Sequence, residues 1–265
     1  MRRSHLILAG LLSATIAAPG AQAEGEHSPP WSMADEVWGE EAMSEARHEL
    51  KHSHGDMKTS FFQAERFEWQ SFDDEDVLLL DGNAWFGGDI NKLWLKTELE
   101  YLPEESEFEE AEVQALWSRA ISPYFDFQAG VRYDFEPEGR THLVAGFQGL
   151  APYLFELDAA SFVSSDGDLT ARVEAEYELL LTQRLILQPR AEIELSAQDI
   201  PELEIGSGLS NVSAGMRLRY EVKREFAPYV GVEWQQSFGE TADFIEAAGG
   251  ETEAVAFLVG IRAWY

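Results

Sequence analysis

Residues 124–135, YFDFQAGVRYDF, alternate apolar and polar side chains along almost their whole length. In an extended chain the apolar set lies on one face: Phe125, Phe127, Ala129, Val131, Tyr133 and Phe135. On the other face lie Asp126, Gln128, Arg132 and Asp134. A helix would mix the two sets because its period is 3.6 residues. The stretch therefore predicts a β-strand whose two faces meet different surroundings.

The same alternation recurs at 169–179, 184–197 and 255–265. Turn residues separate further runs of this kind from residue 61 onward. They predict twelve strands, at 61–72, 76–86, 90–102, 108–120, 123–135, 140–150, 153–164, 168–180, 184–198, 209–223, 226–238 and 252–265. Ten strands is the alternative, because the alternation is weakest in the first strand and in the acidic second one.

The connections between these strands are of two kinds that follow each other in turn. Tight turns fall at 87–89, 122–123, 151–152, 182–183 and 224–225. Longer or more acidic connections fall at 103–107, 136–139, 165–167, 198–208 and 239–251. Short turns at one rim and loops at the other are typical of outer-membrane barrels, whereas strand period alone would also fit a water-soluble sandwich. The prediction is an all-β, antiparallel transmembrane β-barrel over residues 61–265, surrounded by outer-membrane lipid.

The first 60 residues differ from the rest. Residues 1–23 have the pattern of a cleaved secretory signal: Arg2 and Arg3, an apolar run, and the small-residue motif Ala21-Gln22-Ala23. Residues 24–60 are polar, with a weak helical pattern around 42–50, and predict a flexible periplasmic arm. The final alternating run ends in the aromatic Tyr265, as the last strands of outer-membrane barrels do.

Composition limits the possible partners. The formal net charge is -30, which argues against nucleic acid. It favours either attraction of cations or adaptation to salty surroundings. There is no cysteine, so neither disulfides nor thiolate metal sites are available. The charged faces of the strands would line the barrel, and so many enclosed charges must be either paired or in water.

Histidine and methionine concentrate in the arm. The candidate metal ligands there are His27, Met33, Met43, His48, His52, His54 and Met57. His48 and His52 would share one face of a helix because they are four residues apart. Imidazole suits Cu(II) and thioether suits Cu(I), so this set could hold copper ions in either oxidation state. The alternative is a solvated linker with chance histidines.

Seven stretches of the barrel resemble the outer-membrane copper-resistance protein B family. They are residues 85–96, 118–123, 128–134, 148–153, 180–190, 206–210 and 224–229, for example WFGGDINKLWLK and LLTQRLILQPR. The resemblance covers almost the whole barrel. It implies an outer-membrane protein of the periplasmic copper-resistance system, which cooperates with a periplasmic multicopper oxidase.

These observations predict a non-enzymatic protein that binds copper in the periplasm and passes it across the outer membrane. A passive cation-selective pore, or a structural barrel without specific metal binding, is the alternative. A barrel hydrolase would need a general base, and His142 is the only histidine after residue 60. A single histidine near the rim beside acidic residues is more often an ordinary surface residue.

Overall fold

A computed structural model describes residues 32–54, 57–72 and 75–265. The predicted signal segment and His27 lie outside the described residues. The chain divides into two compact units, one up to Gly55 and one from Asp56.

The first unit is helical where it is described. A short 3-10 helix, Ser32–Ala34, leads into α1, Asp35–Trp38, and α2, Glu40–His54. Arg47 of α2 donates two hydrogen bonds to the carboxylate of Asp35, at 2.6 and 3.2 Å. The helix predicted around residues 42–50 is present and extends beyond this range at both ends.

The second unit contains twelve strands in its described residues. Their bounds are β1 Thr59–Ser71, β2 Asp76–Gly87, β3 Asn91–Leu102, β4 Glu107–Ala120, β5 Phe125–Glu136, β6 Arg140–Ala151, β7 Phe155–Ser164, β8 in two segments Leu169–Glu176 and Leu179–Leu180, β9 Leu185–Ser196, β10 Gly208–Tyr220, β11 Phe226–Ser237 and β12 Glu253–Trp264. Each strand pairs antiparallel with its sequence neighbour, and β12 pairs with β1, which closes the sheet. The predicted antiparallel barrel of twelve strands is confirmed.

The faces of the strands are as the alternation predicts. On β5, Val131, Tyr133 and Phe135 are exposed on the outside, whereas Gln128 and Asp134 are buried inside. The inside-out arrangement, with apolar side chains outward and charges inward, is what a lipid surround requires. No helix among the described residues is long and apolar enough to cross a membrane.

A β-bulge in β1 explains why this strand was hard to recognise. Ala64 pairs with Gly82 of β2, but Arg66 pairs with the next residue, Asp81, so Glu65 is an extra residue. The alternation therefore changes phase in the middle of the strand. Gln63 is buried in the interior before the bulge and Arg66 after it.

The gap in β8 has a similarly local cause. Tyr177 donates its amide to the carbonyl of Pro189 on β9, at 3.1 Å. Pro189 has no amide to return, because proline carries no N–H. The pairing resumes in the same register at Leu179, so the strand continues.

The connections lie alternately at the two rims, as predicted, but only two of them are clearly longer than the rest. Residues 197–207 and 238–252 are long, and the second contains α3, Gly239–Ala248. The two meet where the amide of Gly206 donates to Oγ1 of the buried Thr241, at 2.8 Å. The other loops of this rim, which we call the long-loop rim, are as short as the turns of the opposite short-turn rim.

Candidate functional site: the lumen and the helical arm

The barrel interior, or lumen, is crossed by ion pairs. Glu98 on β3 accepts from Arg66 of β1 at 2.7 Å and from Arg172 of β8 at 3.0 Å. Lys96, also on β3, pairs with Asp158 of β7. Since β3 and β8 lie on nearly opposite sides of a twelve-strand ring, the bond from Arg172 to Glu98 joins the two walls across the lumen.

The most completely buried pair lies between β1 and β10. Arg217 donates from Nε and Nη2 to Glu68 at 3.0 and 2.7 Å, and also from Nη2 to Glu233 at 2.7 Å. Glu68 has 0% of its surface exposed and Arg217 has 2%. A two-point contact of this kind compensates for taking both charges out of water.

Part of the lumen wall is apolar. Leu116, Val144 and Phe162 form a buried cluster against which Trp94 and Ala160 pack. The guanidinium of Arg132 lies over the ring of Phe162, 5.1 Å from its centroid. The lumen therefore has an apolar wall on β3 to β7 beside its charged residues.

A cavity of about 360 Å³ lies between these walls. Its charged lining residues are Glu65, Arg66, Asp81, Lys96, Glu98, Glu112, Glu156, Asp158, Arg172, Glu174 and Glu176. Acidic residues outnumber basic ones in this lining, so the cavity favours cations.

Two of these carboxylates have no ion-pair partner among the described residues, although Arg190 of β9 stands directly opposite one of them, Glu176. Glu156 of β7 and Glu176 of β8 stand directly opposite each other in the sheet. Among the described residues, no lysine or arginine nitrogen forms an ion pair with either of them. By contrast, their neighbours are paired, Asp158 with Lys96 and Glu174 with Arg190.

His142 lies in the lumen toward the long-loop rim. Its Nε2 is 2.9 Å from a carboxylate oxygen of Asp134, and both side chains are buried. Asp134 is also held by Arg132. The hydroxyl of Ser164, which pairs opposite His142 in the sheet, is 3.1 Å from an Asp168 carboxylate oxygen, to which it donates. His142 therefore lies near the rim and beside Asp134, as predicted, but it is an enclosed member of the charged network, and the expectation of an ordinary surface residue is wrong.

The two rims carry different charges. Every charged residue in the long-loop connections 103–106, 137–139, 165–168, 197–207 and 238–252 is acidic. The short-turn connections 88–90, 121–124, 152–154, 181–184 and 221–225 carry both signs. Short turns face the periplasm in outer-membrane barrels, so the acidic rim faces outward.

Two acidic residues link the long loops to each other. Asp199 accepts a hydrogen bond from the amide of Ser207 at 2.8 Å. Hydrogen bonds from Ser207 and Glu240 lower the pKa of Asp199, and the bond to Asp199 raises the pKa of Glu240. Glu240 therefore retains its proton to a higher pH than an ordinary glutamate and donates it toward Asp199.

The structure places six of the seven predicted metal ligands. Met33 is in the 3-10 helix and Met57 precedes β1, and both side chains are exposed. Met43, His48, His52 and His54 belong to α2.

The helix brings only some of these residues together. His48 and His52 are exposed and lie one turn apart on the same face of α2. Met43 lies on a different face and is partly buried. It is eleven residues from His54, about 16 Å along a helix. Within the described ranges, no three His, Cys, Asp or Glu residues form a group that could hold a metal ion.

Sequence reasoning missed the contribution of β1 to the lumen. Glu65, Arg66 and Glu68 all take part in the network, but the bulge at Glu65 conceals their common face. The signal that could have revealed them is the pair of alternating runs on either side of residue 65, whose phases differ by one.

Comparison with known proteins identifies the family. The family model described as copper resistance protein B precursor (CopB) matches residues 58–265. Copper resistance protein B of Escherichia coli is 45% identical over 202 residues, covering 76% of this chain and 68% of the relative. The copper resistance protein B homolog of Pseudomonas syringae pv. tomato is 37% identical over 283 residues, covering 100% of this chain and 96% of the relative.

Among solved structures, the NanC porin has a similar fold. The TM-score is 0.51 at 8% sequence identity, and the match covers 77% of this chain and 99% of the porin. This likeness concerns the barrel fold alone. With the sequence matches, it places the protein in the outer membrane. The chain belongs to the copper resistance protein B family.

Proposed function

We propose that this protein binds copper ions in the periplasm through its helical arm and passes them across the outer membrane through the lumen, without catalysing a reaction. A role in copper resistance follows from the family. The observation that carries the finer proposal is the acidic excess in the lumen cavity, since a cavity whose acidic residues outnumber its basic residues attracts cations.

The arm supplies the donors for capture. His48 and His52 are exposed, one turn apart, and close in sequence to His54 and Met57. Two imidazoles at this spacing can bind one Cu(II) ion, and nearby methionine would add affinity for Cu(I). Binding requires neutral imidazole, so it would weaken as the pH falls through the histidine range. As the family resemblance implies, a periplasmic multicopper oxidase would be the partner.

The test is a copper titration of the full-length mature protein in detergent, with Cu(I) and Cu(II) added separately. We expect His48→Ala/His52→Ala to weaken Cu(II) binding by at least about tenfold, because even outer-shell partners of metal ligands contribute that much. The matched control is Glu41→Ala/Glu45→Ala, which removes two exposed residues at the same spacing on the same helix. Unchanged binding in the histidine variant would contradict the role of the arm.

The second candidate is a structural barrel, or a passive cation-selective pore, without specific metal binding. The ion pairs that join β3 to β7 and β8 favour a closed lumen. Liposomes containing the protein separate the candidates. Copper entry that exceeds entry of potassium supports copper passage, equal entry supports the passive pore, and no entry supports the structural barrel.

A further inference from the structure

We infer that Glu156 and Glu176 hold a hydrated divalent cation inside the lumen, and that copper occupies this place as Cu(II) and not as Cu(I). The identification of copper as the ion rests on the proposed function. The cation site itself rests on the geometry of the two carboxylates.

The first argument is the placement of like charges. Glu156 and Glu176 are directly opposite on neighbouring strands and face the same cavity. Like charges in this relation destabilise a sheet. The adjacent acidic pair, Asp158 and Glu174, avoids this because each member has its own cation.

The second argument is an unpartnered buried oxygen. Only 6% of the surface of Glu176 is exposed, and its Oε1 atom has no hydrogen-bond partner among the described residues. A buried carboxylate oxygen left without a partner costs free energy. This oxygen belongs to a side chain that lines the cavity, where a cation with its water shell would be in reach.

The arginines nearest to this pair are bound to other carboxylates. Arg190 stands directly opposite Glu176 on β9, but its Nη2 atom donates to Glu174 and Glu192. The field of Arg262 reaches both Glu156 and Glu176. However, its guanidinium donates to Glu178 at 2.9 Å and pairs with Glu65 at 3.4 Å. Arg262 is thus shared among four carboxylates, of which Glu178 also pairs with a second arginine, Arg219. The region keeps a negative excess that a divalent ion would neutralise.

The donor atoms decide which ion is taken. Carboxylate and water oxygens suit hydrated divalent ions, while Cu(I) prefers sulfur. The chain has no cysteine, and Met216 of β10 is exposed on the outer face of the barrel. His142, the other possible nitrogen donor, lies toward the long-loop rim, whereas Glu156 follows a turn of the short-turn rim, and His142 is already paired with Asp134. The lumen around Glu156 and Glu176 therefore offers oxygen donors, which Cu(II) accepts and Cu(I) does not.

The test uses electron paramagnetic resonance of the folded full-length protein with Mn(II) or Cu(II) as the probe. We expect one ion bound through oxygen alone, and with Cu(II) a separate nitrogen-coordinated signal from the histidines of the arm. Glu156→Gln/Glu176→Gln should abolish the oxygen-only signal, whereas the control Glu104→Gln/Glu105→Gln, which removes two exposed acids of a loop, should retain it. Retention of the signal in Glu156→Gln/Glu176→Gln would overturn the site. Displacement of Mn(II) by excess Cu(I) would overturn the assignment to Cu(II).

A thermal measurement covers the case in which the double variant folds poorly. Mn(II) should raise the unfolding temperature of the native protein but not of Glu156→Gln, a change at an exposed side chain. An equal rise in both would overturn the inference. Failure of the arm is distinguishable, because His48→Ala/His52→Ala would remove only nitrogen-coordinated Cu(II) and leave the oxygen-only signal.

Discussion

Glu68 and Glu176 are two buried carboxylates of the same lumen with opposite surroundings. Arg217 contacts both oxygens of Glu68, whereas one oxygen of Glu176 has no partner in the described structure. Burying a carboxylate costs several kcal/mol, so Arg217 offsets a cost that would otherwise destabilise the barrel. Glu176 keeps a buried negative charge that a mobile cation can neutralise. Within one lumen, pairing marks the structural part and its absence marks the part that can act on a ligand.

The largest effect is expected where the pairing is most complete. Arg217→Met should lower the free energy of unfolding by about 3–5 kcal/mol, because it leaves Glu68 and Glu233 buried without their cation. Urea titration in lipid vesicles measures it. Glu68→Gln/Arg217→Met should recover part of the loss. A loss no larger than that of a surface variant would break the comparison, since pairing would then carry little structural weight.

A smaller effect is expected at the bridge across the lumen. Glu98→Gln should cost about 1–3 kcal/mol, because Arg66 and Arg172 both lose a charged acceptor. It should also raise the single-channel conductance in planar bilayers, since the two walls are no longer joined at this residue. The control is Glu194→Gln, which removes a 3.3 Å bond of Arg172 to an adjacent strand. Equal conductance in the two variants would contradict the bridging role.

An opposite sign is expected at the unpaired site. Glu156→Lys should raise the free energy of unfolding, measured in EDTA, by about 0.2–1 kcal/mol, because a lysine opposite Glu176 replaces repulsion with attraction. The exposed loop residue Glu104, changed to lysine, is the control for net charge. If Glu156→Lys lowered the free energy of unfolding instead, a positive charge opposite Glu176 would be unfavourable, which contradicts the inferred cation site.

The smallest effect is expected outside the lumen, at Asp199 and Glu240. The raised pKa of Glu240 means that its contribution is present at low pH and is lost as pH rises through that pKa. The lowered pKa of Asp199 means that its contribution is lost only in stronger acid. Amide exchange in α3, corrected for intrinsic rates, should therefore increase slightly from mildly acidic to neutral pH. Glu240→Gln should flatten this dependence and Glu246→Gln should not.

The barrel could be predicted from the sequence because apolar and polar residues alternate along most of its strands. On β5 every apolar residue except Ala129 is followed by a polar one, and apolar side chains outside with charged ones inside are what a barrel in lipid requires. β1 resisted because one extra residue reverses its phase at Glu65. The pairing of charges could not be predicted, because Arg172 and Glu98 are far apart in sequence and meet only when the ring closes. The helical pattern around residues 42–50 predicted a helix there, but not that α2 extends to His54 and so includes His52 and His54.

The bulge at Glu65 has a consequence for how this gene can vary. The bulge decides which residues of β1 face the lumen and which face lipid. Gln63 is inside before it, Arg66 and Glu68 are inside after it, and Phe62 and Phe67 face outward. Deleting one residue there would turn half of β1 over, moving charges to lipid and aromatic rings to water. Length at this position is therefore more constrained than the identity of most individual side chains. Families of this barrel should tolerate substitutions in β1 far better than single-codon deletions.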